Sequence, residues 1–128
     1  MSNSMNPTLL IVDDETILPD LIKDYLEDET LYTVLLAASG EEGLKLLESH
    51  KPDICMVDMR LPGINGNQFI LQALQILPQC KFIIHTGSID YTLPTELKEK
   101  GITQQSLLFK PVTGLHLYLD KITELLSQ

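Results

Sequence analysis

Positive charge is scarce in this chain. Nine lysines and arginines stand against eighteen aspartates and glutamates, for a formal net charge of -9. So few cations can hardly build the basic surface that a phosphate backbone requires, which argues against nucleic acid as a partner of this domain. An acidic surface suits basic patches on proteins, or gathers cations. Long apolar runs are missing too. None approaches the roughly 18 to 20 residues that cross a bilayer, so no membrane partner is expected. Met1 to Pro7 lack the basic and apolar regions of a signal peptide. Residues 1–7 are expected to be disordered, whether native or left from cloning. Cysteine is limited to Cys55 and Cys80. Cys55 lies inside the apolar run Ile54-Cys55-Met56-Val57 and reads as a small core residue more than as half of a disulfide. Nothing demands an oxidising compartment, and the cytoplasm is the expected location.

What is present is enough for one core. The chain has 128 residues, 44% of them hydrophobic, which fits a single domain over residues 8–128. Short apolar runs recur along it: Leu9 to Val12, Tyr32 to Leu36, Ile54 to Val57, Phe82 to Ile84 and Leu107 to Phe109. Most are apolar on both faces, as strands of a covered parallel sheet must be. Helical spacing lies between the runs. Ile17, Leu18, Leu21, Ile22, Tyr25 and Leu26 predict one buried stripe on a helix that starts near Thr16, since Pro19 fits only in a first turn. Ser39-Gly40-Glu41-Glu42 reads as a capping box before a second helix with Leu44 and Leu47 inward. Phe69, Ile70, Ala73, Leu74 and Leu77 mark a third helix, stopped by Pro78. A fourth is confined between Pro94 and Gly101 and should start at about Leu93 to Thr95, with Leu115, Leu119, Ile122 and Leu126 marking the last. Five strands alternating with five helices predict an α/β fold: a doubly wound parallel sheet in the flavodoxin-like order 2-1-3-4-5.

In that order ligands sit at the carboxyl ends of the first and third strands. Asp13-Asp14-Glu15 follows the first strand, Asp58 ends the third, Thr86 the fourth and Lys110 the fifth. Taken singly, each has a plain reading. The acids could cap a helix, Asp58 and Thr86 could be turn residues, and Lys110 a strand-end charge. Together they converge on one crevice. Carboxylates about 4 Å apart repel by roughly 4 kcal/mol per pair at an effective dielectric of 20, and a cap needs no such crowding. A hard divalent cation such as magnesium accounts for it. Lys110 and Thr86 would then face phosphoryl oxygens, and a carboxylate nucleophile can carry phosphate. The set suits phosphoryl transfer.

These residues resemble the receiver domain of two-component response regulators, over nearly the whole chain. Leu10-Ile11-Val12-Asp13-Asp14-Glu15 is similar to the family's acidic first-strand motif. Met56-Val57-Asp58-Met59-Arg60-Leu61-Pro62-Gly63, continued by Ile64-Asn65-Gly66, is similar to its phosphoacceptor strand and loop. Thr86 and Lys110-Pro111 match its hydroxyl and lysine-proline positions. The resemblance implies that Asp58 accepts phosphate from a histidine kinase or phosphotransfer protein, and that the domain catalyses only its own phosphorylation and dephosphorylation. It implies magnesium on Asp14 and Asp58 directly, on Asp13 through water, and on the backbone carbonyl of Arg60. Lys110 would contact the phosphoryl group, with a cis peptide before Pro111. A homodimer face on the fourth helix, fifth strand and fifth helix is implied as well.

Leu107 departs from the family, which usually has Tyr or Phe three residues before the lysine as a rotating switch. The stretch from Thr86 to Lys110, with Pro94 inside it, is also slightly long. Both put the usual signalling face in question and point to ordering of residues 88–100, or movement of the fourth helix, as the response. His85 reads as a packed or hydrogen-bonded strand residue, turned away from the face of Thr86 by strand alternation. Three rival readings fit less well. A haloacid-dehalogenase phosphatase wants Asp-x-Asp-x-Thr after the first strand, and Asp14-Glu15-Thr16 lacks it. A flavodoxin cofactor module wants a hydroxyl- and glycine-rich loop there, where three acids would repel phosphate. An unphosphorylated receiver-like interaction domain should lack an acid or the lysine, and none is missing.

Overall fold

The computed structural model describes residues 6–128. The strands are β1 (Thr8–Val12), β2 (Thr33–Ala37), β3 (Ile54–Val57), β4 (Lys81–Thr86) and β5 (Leu107–Phe109). The helices are α1 (Ile17–Glu29), α2 (Gly40–His50), α3 (Gly66–Ile76), α4 (Thr95–Glu99) and α5 (His116–Leu126), with one 3-10 turn at Gln104–Ser106. The strands form one parallel sheet in the order β2-β1-β3-β4-β5.

Strand alternation divides the core into two layers. Leu10, Val12, Cys55, Val57, Phe82 and Ile84 face one way and pack with Leu47, Phe69, Ala73 and Leu97 from α2, α3 and α4. Leu9, Ile11, Ile54, Met56 and Ile83 face the other way, onto Ile22 and Leu26 of α1 and Tyr118, Ile122 and Leu125 of α5. Both cysteines are free and buried, with their sulfurs 3.7 Å apart. No helix among the described residues is long and apolar enough to cross a membrane.

Several local expectations need correction. The α1 stripe is narrower than its spacing predicts: Ile22 and Leu26 are buried, whereas Ile17 is 76% and Leu21 49% exposed. Only one side of α1 meets the sheet, and these two residues lie beyond it. At α2 the Ser39 hydroxyl does accept from Glu42 N, but Glu42 reaches back to Ala38 N instead of closing a box on Ser39. The complete capping box is at α3, between Asn65 and Gln68. In α5 the buried positions are Tyr118, Ile122 and Leu125, so the stripe lies one residue off the Leu119 and Leu126 of the leucine spacing. The short α4 starts at Thr95, as Pro94 dictates, and the chain leaves it through Gly101 at φ +91°. Of the tail, residues 1–5 lie outside the described residues. Pro7 is buried, and its carbonyl accepts from Thr33 N at 3.0 Å.

Candidate functional site

Main-chain bonds carry the sheet one step past its strands and fix the site residues there. Asp13 N donates to Ala37 O, Asp58 N to Val12 O at 3.0 Å, and Lys110 N to Thr86 O at 2.8 Å. Asp13, Asp58, Thr86 and Lys110 therefore line up along one edge, at the carboxyl ends of four adjacent strands. Carboxylate oxygens of Asp13, Asp14 and Asp58 all lie within 4.8 Å of one another. The Lys110 ammonium stands among them, 3.1 Å from Asp13 Oδ2, 3.5 Å from Asp58 Oδ2 and 3.3 Å from Glu15 Oε1.

Asp13 and Asp58 are each braced by the next turn of chain. Glu15 N donates to Asp13 Oδ1 at 2.9 Å, and Arg60 N to Asp58 Oδ1 at 3.1 Å. Each carboxylate thus keeps its other oxygen for the shared cavity. Burial pushes the Asp13 carboxyl above its usual range, although the Glu15 amide and Lys110 pull it down. Burial works to lower the Lys110 ammonium, but the Asp13 hydrogen bond and the charges of Asp13, Asp58 and Glu15 prevail and hold it above its usual value. The site is a crowded acidic pocket held together by one lysine. Its donors are hard oxygens, the set that a hard divalent cation prefers.

The remaining site residues fall at the same edge. Thr86 is buried at 2% exposure, and its hydroxyl accepts from Ser88 N at 3.1 Å. Arg60 is exposed and follows Asp58 by two residues in the β3–α3 loop. The Lys110–Pro111 peptide is cis. His85 points to the opposite layer, where its Nε2 lies 2.8 Å from the Tyr118 hydroxyl. Desolvation, with Lys110 nearby, lowers its pKa to about 3, so the ring is neutral; burial raises Tyr118 to about 12.

Two contributors were not assigned a role in the sequence. Glu15 belongs to the acidic motif, but its ion pair with Lys110 depends on a turn geometry that spacing does not reveal. Glu41 accepts from Ile64 N at 3.1 Å and so ties α2 to the β3–α3 loop. That contact joins residues 23 apart and carries no local signal. A roomy cleft of about 850 Å³ lies elsewhere, lined by Lys51, Asp53, Leu77, Phe82, Lys100 and Ile102 among others. It contains none of the acid cluster. Size alone favours that cleft, but the convergent charged groups favour the acidic edge.

Comparison with known proteins gives a consistent result. The family model described as the response regulator receiver domain matches residues 9–119. Response regulator GacA of Pseudomonas aeruginosa is 34% identical over 94 residues, which are 73% of this chain and 44% of that protein. Transcriptional regulatory protein AfsQ1 of Streptomyces coelicolor is 40% identical over 111 residues, 84% of this chain and 46% of that one. The chain thus spans less than half the length of these relatives. Among solved structures, a CheY-like receiver domain protein from Methanospirillum hungatei superposes with a TM-score of 0.78 at 30% identity, covering 95% of this chain and 94% of that one. A receiver domain from Clostridium thermocellum superposes with a TM-score of 0.81 at 28% identity, covering 94% of each. This chain belongs to the response-regulator receiver domain family and is a signalling domain of the two-component type.

Proposed function

We propose that Asp58 is the phosphoacceptor, and that residues 8–128 form the receiver unit around it. One observation supports this above the rest: three carboxylates within 4.8 Å of one another, with the Lys110 ammonium 3.5 Å from Asp58 Oδ2. A structural ion pair would need one acid, and the surplus suits a cation and an incoming phosphoryl group. Asp14 and Asp58 would hold magnesium directly and Asp13 through water, with the Arg60 carbonyl completing the protein ligands. When bound, the ion supplies positive charge against the phosphoryl oxygens and so relieves repulsion on attack. A carboxylate oxygen of Asp58 forms the new bond to phosphorus as the bond from phosphorus to the donor's histidine nitrogen breaks. Lys110 then pairs with a phosphoryl oxygen, and the Thr86 hydroxyl donates to another.

The donor in this reading is a histidine kinase or phosphotransfer protein, acting in the cytoplasm. The domain's own catalysis is confined to gaining and losing this phosphoryl group. Nucleic acid has no place on its acidic surface, and α4, β5 and α5 would form the homodimer face. Intact mass after treatment with acetyl phosphate and magnesium tests the reading. One phosphoryl group should be gained by the wild type and none by Asp58→Asn or by the wild type in chelator. Equal labelling of Asp58→Asn would overturn it.

A further inference from the structure

Leu107 sits buried in the same core layer as Leu93 and Leu97 and has no polar end with which to report on the site. A different aromatic residue is connected to Thr86. The Thr86 hydroxyl accepts from Ser88 N at 3.1 Å, and the Ser88 carbonyl accepts from Tyr91 N at 3.2 Å. The Tyr91 hydroxyl in turn donates to Asn67 Oδ1 at 3.2 Å, in the first turn of α3. The Tyr91 ring is half-buried and packs on the same core layer. Gly87, between Thr86 and Ser88, has nothing within 4 Å of the position a Cβ would take. The connection therefore has an uncrowded glycine at one end, a tether at the other, and a hydrogen-bonded turn between.

We propose that Tyr91 is a positioning residue for Thr86, tethering the β4–α4 connection to α3 in the unphosphorylated state. The proposal rests on Asp58 being the phosphoacceptor. A hydroxyl accepts and donates at once. Ser88 N–H can stay on Thr86 Oγ1 while the Thr86 O–H turns to a phosphoryl oxygen. The displacement then passes through Ser88 to Tyr91 and pulls on the bond to Asn67, which must give way for the connection to move. A tether present in one state only biases the equilibrium toward that state. One partly buried hydrogen bond amounts to about a two- to tenfold bias.

Titration with beryllofluoride and magnesium, followed by NMR, tests this in the wild type, Tyr91→Phe and Asn67→Ala. Phenylalanine keeps the packed ring and removes only the donor. In the wild type the Ser88 amide and the Asn67 side-chain amide should shift together. Each variant should bind beryllofluoride about two- to tenfold more tightly, and the double variant no more tightly than either single one. If Asp58 and Ser88 respond while the Asn67 side chain stays still and both variants bind like the wild type, the tether is refuted with the phosphoacceptor intact. If nothing at Asp58 responds in any protein, the phosphoacceptor assignment fails and the tether with it.

Discussion

The Lys110 ammonium lies within 3.5 Å of three carboxylates, one of them on the Asp13 side chain, which is only 2% exposed. A strand-end lysine in solvent would contribute almost nothing to stability. This one compensates a buried charge, and its removal leaves Asp13 unpaired among acids. Lys110→Ala should therefore destabilise the metal-free domain by about 1–3 kcal/mol in urea unfolding, with part of the loss recovered on adding magnesium. A metal-free midpoint equal to the wild type would make Lys110 a surface charge. His85 gives the pH dependence. Its folded pKa, about 3, lies below the ordinary 6.5, so the fold binds fewer protons than the unfolded chain. This contribution is complete above about pH 6.5 and is lost as pH falls toward 3, by up to about 1.4 kcal/mol per pH unit. Surface carboxylates titrate alike in wild type and variant. His85→Gln should thus show a flatter fall in stability from pH 6.5 to 4.5, and parallel curves would refute the neutral-imidazole account.

At the scale of elements, the β3–α3 loop is pinned from α2. Gly63 holds φ +73°, and an added Cβ would lie 2.5 Å from Glu41 Oε2, the oxygen that accepts from Ile64 N. Gly63→Ala should cost about 1–2 kcal/mol through the left-handed backbone alone. Because Asp58 and Arg60 lie in this same loop, before Gly63, the substitution should also weaken magnesium binding, which calorimetry would read. An unchanged magnesium affinity would show that the loop does not position the site. The same elements show what a sequence makes legible. The order of strands and helices was readable because each buried strand is a short apolar run and because Pro19, Pro78 and Pro94 punctuate the helices. Asp58 and Lys110 were readable because the ends of strands are. Ile17 and Leu21 misled because helical spacing marks an apolar side without saying how wide a neighbour covers it. The Asn65–Gln68 cap obeys the same spacing rule as Ser39 and Glu42, so its signal is present in the sequence. Tyr91 to Asn67 and Glu41 to Ile64 are long-range contacts between loops and helices, which no local pattern encodes.

For the whole molecule, eighteen acids against nine bases make the folded state self-repelling, and the acidic edge concentrates that cost. Anything that binds the assembled edge but not the unfolded chain must stabilise the fold. Magnesium at about a hundred times its dissociation constant should add about 2.7 kcal/mol. Asp14→Asn should be more stable than the wild type without metal and respond less to it, because it removes one charge and one proposed ligand together. Urea midpoints that ignore millimolar magnesium would contradict a site assembled by folding. The central claim is that one named carboxylate carries the phosphoryl group, and trapping it chemically tests that most directly. Borohydride reduces an acyl phosphate to an alcohol, so a phosphorylated aspartate becomes homoserine and is marked in the peptide sequence. After acetyl phosphate and magnesium, peptide mass spectrometry should find homoserine at position 58, with Asp13 and Asp14 unmodified. Homoserine at 13 or 14, or none at 58 in a protein that has gained phosphoryl mass, would contradict it.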